Sequence, residues 1–285
     1  MLGRSSPNAR AHVKGTPATN VIQKFLAGRR ALVTGADFGV GRAIAMLFGT
    51  HGASVAVHYL ADRESAEAVV GYIIENGGKA FPCRANVSSG TDIRRMFREI
   101  VPRLGGIDTV VATPGAGDTP ASTGQDSTGR RREILDTALI GQYLCALAAV
   151  RQFRRRRVAH EWPTPNGKII FVSPPHRATP WTGQASYAGA DATEMMVRSV
   201  ALDVEKYRIC VNCIVPVQEA PPVEPSPARR QRDVELDDVA KAALWLASNE
   251  AGTVTGRTWV VNRDVKANPT RTARPASDEV VAKRT

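Results

Sequence analysis

Short apolar runs alternate along this chain with longer stretches in which apolar side chains recur at helical spacing. The runs Ala31–Thr34, Ser54–Tyr59, Lys79–Cys83, Thr109–Thr113, Lys168–Ser173, Cys210–Val215 and Thr258–Val261 are rich in Val and Ile. Such runs suit parallel strands covered on both faces. Helical periodicity marks Gly41–His51, Arg63–Asn76, Gly90–Leu104, Arg131–Arg155, Ser186–Lys206 and Leu236–Ser248. Alternation of this kind predicts an α/β fold built as one doubly wound, seven-stranded parallel sheet with helices on both faces. Right-handed crossovers then place a ligand at the carboxyl ends of the strands.

The pattern also sets boundaries. Residues 1–20 lack apolar periodicity and no acid precedes Asp37, so a disordered basic extension is expected there. A mitochondrial transit peptide is the alternative for this segment, although it lacks a clear amphipathic stripe. The domain is expected to span 21–265, followed by a flexible tail over 266–285. Gly115–Gly129 and Pro216–Pro227 read as loops, the second beside the site.

Composition narrows the picture. With 285 residues, 43% hydrophobic and 23% charged, the chain can bury a large core without disulfides or metals. No apolar run approaches the ~20 residues of a membrane span, and the N-terminus lacks a secretory core, so a soluble cytoplasmic protein is expected. Cys210 and Cys213 form a C-x-x-C within an apolar run, with no second ligand pair or nearby His. They read as buried small side chains, and no metal site is expected. The net charge of +11 raises nucleic acid as a partner. Arginines cluster at 130–132 and 154–157, yet no recognition motif or aromatic interleaving accompanies them, and a solvated helix surface is the preferred reading.

The chemistry begins at ALVTGADFGVGRAIA, residues 31–45. A strand ends at Thr34, and glycines at 35, 39 and 41 permit a tight turn and close approach of backbone to a pyrophosphate. The following helix N-terminus adds N–H groups and partial positive charge. Thr34, Gly35, Asp37, Phe38, Gly39, Val40 and Gly41 are therefore the candidate phosphate cradle.

The segment FLAGRRALVTGADFGVGRAIA resembles the opening of short-chain dehydrogenases/reductases, especially the glucose-dehydrogenase and acyl-carrier-reductase-like branch. The likeness continues through RANVSSGTDI, ASYAGADATEMMVRSVALDV, YRICVNCIVP and ELDDVAKAALWLASNEAGTVTG, covering roughly residues 22–263. It implies a Rossmann-type fold that binds NAD(P)(H). In such folds an acid ending the second strand holds the adenosine ribose and repels a 2′-phosphate. Tyr59 stands at that position, so NADP(H) is expected ahead of NAD(H), with Arg63 a candidate phosphate partner; tight binding of neither is the alternative. The resemblance also places Asn86 and Val87 beside the adenine, in place of Asp-Val. VATPGAG, residues 111–117, replaces the usual Asn-Asn-Ala-Gly run, and Gly115 alone matches.

The same resemblance implies a catalytic Asn-Ser-Tyr-Lys set, in which the Lys ammonium favours phenolate and so prepares the Tyr for proton transfer. Tyr187 keeps the Tyr. Asp191 replaces the Lys one helical turn later and reverses the sign of the charge. The Ser position falls on Pro174, with Ser173 one residue early, and the Asn position on Ala138. His176, with Arg177 beside it, lies where the substrate pocket is implied and offers a neutral-pH proton donor. Asp191 retains the capacity to accept a hydrogen bond from a ribose hydroxyl.

Three functions stay open on these grounds. One is a dinucleotide-binding protein that is catalytically silent or repurposed. Another is an active NADP-dependent oxidoreductase acting through Tyr187 or His176 on a carbonyl or alcohol. A third is an Arg-rich interaction scaffold. Broad apolar faces on ILDTALIGQYLCALAAV and ASYAGADATEMMVRSVALDV predict a homodimer or homotetramer.

Overall fold

The computed structural model describes residues 24–114, 132, 135–155, 166–173, 189–216 and 229–261, with backbone alone at 189–191 and 229–235. These residues form a seven-stranded, all-parallel sheet in the order β3-β2-β1-β4-β5-β6-β7. The strands are β1 (Arg30–Val33), β2 (Ser54–Tyr59), β3 (Lys79–Arg84), β4 (Thr109–Ala112), β5 (Gly167–Val172), β6 (Ile209–Pro216) and β7 (Thr258–Val261). The helices are α1 (Gly39–Thr50), α2 (Arg63–Glu75), α3 (Gly90–Leu104), α4 (Gln142–Arg155), α5 (Gly189–Val204) and α6 (Arg229–Ala247). The predicted doubly wound sheet is thus the observed one.

Two apolar layers explain why the alternation folds this way. On one face Met96, Phe97, Cys145, Phe153, Val197 and Val211 belong to a core joining α3, α4 and α5 to the sheet. On the other, Ile44, Phe48, Val69, Ile73, Val239 and Leu244 join α1, α2 and α6 to it. Every residue of β4, β5 and β6 is buried, as strands sandwiched between helices require. Pro82 lies in β3, an edge strand, where a missing N–H costs no ladder bond on the open side. Among the described residues no helix is long and apolar enough to cross a membrane.

Several boundaries move. The helix predicted from Gly41 begins at Gly39, and the one predicted from Leu236 begins at Arg229. Arg, Gln and Glu favour helix without supplying apolar periodicity, so the polar start of α6 carried no pattern to read. The stretch predicted as one helix over Arg131–Arg155 contains a π-helical turn, Asp136–Gly141, ahead of α4. Cys210 and Cys213 are buried, as read. Being three apart on β6 they point to opposite faces, which no shared metal ion would reach. The N-terminal extension, both predicted loops beyond Pro114 and Pro216, and the C-terminal tail lie outside the described residues.

Candidate functional site

The sheet order reverses between β1 and β4, and the crevice above their carboxyl ends is the ligand position of an open α/β sheet. The predicted cradle occupies it. Gly35 and Gly39 adopt left-handed backbone, with φ of +53° and +55°, a conformation that costs other residues a Cβ clash. Gly41 is required for a different reason. A Cβ there would lie 2.1 Å from the Gly35 carbonyl oxygen, so only glycine lets α1 start against its own turn. Phe38, in extended conformation, precedes the helix and gives no side-chain cap. The first amides of α1 therefore have no intrahelical or capping partner, which is what an anion at this position requires. Asp37 is buried within the turn, and burial, with the nearby Asp62 carboxylate, raises its pKa.

Two side chains that the sequence reading missed hold this turn from below. His58 of β2 is buried. The Gly35 amide donates to its Nδ1 at 3.0 Å, and its Nε2 lies 3.1 Å from the Ala85 carbonyl. Nδ1 must be the acceptor, so Nε2 carries the proton and donates to Ala85. Burial lowers the imidazole pKa to about 4, keeping the ring neutral. Thr113, directly after β4, donates its amide to Thr34 Oγ1 at 2.9 Å and its hydroxyl to the Thr34 carbonyl at 2.6 Å. This pair stitches β1 to β4 where the resemblance had implied asparagines. The legible signal was a lone His inside an apolar strand, and a Thr at each of two strand ends.

At the adenosine end, Tyr59 is buried as the last residue of β2 and Leu60 beyond it is exposed. Arg63, the candidate phosphate partner, is exposed and pairs with Glu67 one turn along α2, at 2.8 Å. Arg84 ends β3 in register with Tyr59, and its Nε donates to the Leu60 carbonyl at 3.0 Å. Asn86 is exposed, and its Oδ1 accepts from the amide and hydroxyl of Ser88, which leaves its NH₂ group as the one available to a base. Val87 packs on Gly141, where a Cβ would approach it to 2.9 Å.

On the opposite side of the crevice the π-helical turn holds Ala138, so the position implied for Asn carries no polar side chain. Gln142, one turn later, is buried; its Nε2 donates to the Val172 carbonyl at 3.2 Å, and its Oε1 has no hydrogen-bond partner among the described residues. Ser173 follows β5 and is buried, its amide donating to the Ile214 carbonyl at 2.9 Å. Asp191 lies in the first turn of α5. Tyr187, His176, Pro174 and Gly115 lie outside the described residues.

The geometry fits a dinucleotide. A cradle that a single Cβ would fill, left-handed glycines and an uncapped helix start form a turn with the shape a phosphate requires, at the strand-order reversal. Thr34 to Gly41 would hold the pyrophosphate, and Tyr59, Asn86 and Val87 would flank the adenosine.

Residues 35–263 match the family described as enoyl-(acyl carrier protein) reductase. The 3β-hydroxysteroid dehydrogenase 1 of Eggerthella lenta is 30% identical over 258 residues, covering 86% of this chain and 96% of that protein. Glucose 1-dehydrogenase 2 of Bacillus subtilis is 28% identical over 263 residues, covering 88% and 99%. Among solved structures, a hydroxysteroid dehydrogenase from Escherichia coli superposes with a TM-score of 0.69 at 26% identity, covering 84% of this chain and 98% of that one. Fold, glycine turn and relatives agree: the chain belongs to the short-chain dehydrogenase/reductase family of oxidoreductases.

Proposed function

We propose that this chain is a cytoplasmic NAD(P)(H)-binding member of its family whose proton-transfer machinery has been lost, leaving a silent or repurposed protein. The observation that carries the reading is a complete phosphate cradle combined with Ala138, Pro174 and Asp191 at three of the four positions implied for catalysis. A carboxylate four residues after Tyr187 in the sequence, at the position implied for the Lys, would disfavour phenolate where an ammonium would favour it. General acid–base assistance is worth a factor of about 10²–10⁴, so turnover at neutral pH falls by that order.

NADP(H) is proposed ahead of NAD(H). The second strand ends in Tyr59 without an acid, and the Arg84 guanidinium is held on the Leu60 carbonyl beside that end. The planar fork retains N–H donors suited to a phosphate. Asp191 would serve as an acceptor toward a ribose hydroxyl.

Assembly as a homodimer or homotetramer is part of the proposal. Leu135, Ile140 and Tyr143 around the start of α4, with Met195 and Leu202 on α5, expose apolar side chains that a second copy of this chain would cover.

Titration of the purified protein with NADPH and NADH, followed by nucleotide fluorescence, tests the core of the reading. Binding of NADPH with negligible carbonyl reduction at pH 7 supports it. Failure to bind either nucleotide overturns the binding, and brisk turnover abolished in Tyr187→Phe or His176→Ala overturns the silence.

A further inference from the structure

We propose that His58 is a positioning residue for the dinucleotide, its Nδ1 fixing the glycine turn in the form that receives the pyrophosphate. The inference rests on the binding reading above and deepens it. Gly35 is the first left-handed residue of the turn, and its amide donates to the buried His58 side chain of β2 rather than to a strand ladder. An amide turned toward buried side chains without a partner carries a desolvation cost, so this partly buried one needs an acceptor beneath it. His58 supplies that acceptor.

The ring does more than fill a core position. Its two nitrogens are committed in opposite senses, Nδ1 accepting from Gly35 and Nε2 donating to Ala85. It therefore acts as a rigid spacer between the pyrophosphate turn after β1 and the strand end that leads into Asn86 and Val87. The backbone on either side of it is committed as well, because the Ala36 amide donates to the His58 carbonyl at 2.8 Å and the Ala85 amide to the Tyr59 carbonyl at 3.2 Å. Three strand ends that converge on one ligand are thereby set at fixed spacing, the kind of support that preorganises a site.

Two conservative variants separate positioning from plain core packing. In His58→Asn the amide oxygen takes the place of Nδ1, being the same number of bonds from Cα, and accepts from Gly35, while the contact to Ala85 is lost. In His58→Gln the amide reaches one bond further, keeps Ala85 and leaves Gly35 unpaired. Each removes one hydrogen bond, so both lose similar stability in urea, and only the Gly35 link bears on the turn. The expected result is NADPH affinity within about threefold of the parent for His58→Asn, and about tenfold or more weaker for His58→Gln and His58→Ala. Hydrogen exchange at the Gly35 amide, measured without nucleotide, is expected to stay slow in His58→Asn and to accelerate in His58→Gln. Equal affinities and equal exchange in the two variants would overturn the proposal. A parent chain that binds no nucleotide removes the functional reading instead, and the exchange comparison then decides whether His58 holds the turn.

Discussion

Thr34 and Thr113 exchange hydrogen bonds across the crevice between β1 and β4, the amide and hydroxyl of Thr113 both donating to Thr34. Both side chains are buried, so neither bond is open to competition from water. Thr113→Val keeps the shape and removes the hydroxyl, leaving the Thr34 carbonyl short of a partner. A loss of about 1–3 kcal/mol in urea unfolding is expected, with weaker NADPH binding, and Thr113→Ser is expected to recover most of both.

Gly41→Ala is expected to abolish detectable nucleotide binding, because the new methyl meets backbone, which cannot swing aside as a side chain would. Gly71→Ala is the control. Gly71 sits inside α2 with nothing within 4 Å of an added Cβ, so that variant is expected to gain about 0.5–1 kcal/mol of stability. Thermal unfolding and NADPH titration on both variants check the pair.

Stability is expected to fall as pH drops from 6.5 toward 4. His58 has a folded-state pKa of about 4, below its ordinary 6.5, so in that window the unfolded chain takes the proton and the folded chain does not. The contribution is complete above pH 6.5 and lost through the window, on the order of 3 kcal/mol for a ring this deeply buried. Urea midpoints measured at pH 7 and pH 4.5 should show it. In His58→Asn this part of the slope should vanish.

Arg30 and Asp108 form a two-pronged ion pair at the amino edge of the sheet, with contacts of 2.7 and 2.9 Å. The Arg30 amide adds a third bond to the same carboxylate at 2.9 Å, and its guanidinium also reaches the Gly105 carbonyl. Asp108→Ala strands a partly buried cation and is expected to cost about 2–4 kcal/mol, less than a fully buried pair because Arg30 is in part exposed. Nucleotide affinity should be unchanged, since the pair lies at the far edge from the cradle.

Leu202→Glu, placing charge on the exposed face of α5, is expected to shift the protein to smaller species in light scattering, with the monomer still folded. An unchanged mass would remove α5 from the proposed interface.

Much of the architecture was legible because the physics that sets it is local in pattern. Runs such as SVAVHY and KIIFVS can only be strands covered on both sides, and their alternation with amphipathic stretches admits few topologies. The glycine turn was legible for the same reason: the spacing at 35, 39 and 41 states a backbone requirement. Arg63 illustrates a local contact: it meets Glu67 one turn on, at the spacing a helix brings together on its exposed face. Lys168 shows the converse. It opens an apolar strand without apparent reason, yet its buried ammonium donates to the carbonyls of Leu246, Ser248 and Ala251 and closes the end of α6, 78 or more residues away.

By itself the sequence determined the doubly wound sheet and the glycine turn, since each follows from residue type and spacing along the chain, whereas the charge reversal at Asp191 is what the family resemblance implies. Tertiary structure alone decided what holds that turn in place. His58 and Thr113 act on Gly35 and Thr34 from 23 and 79 residues away. A hydrogen bond between distant segments is specified by three-dimensional proximity, and periodicity carries no record of it.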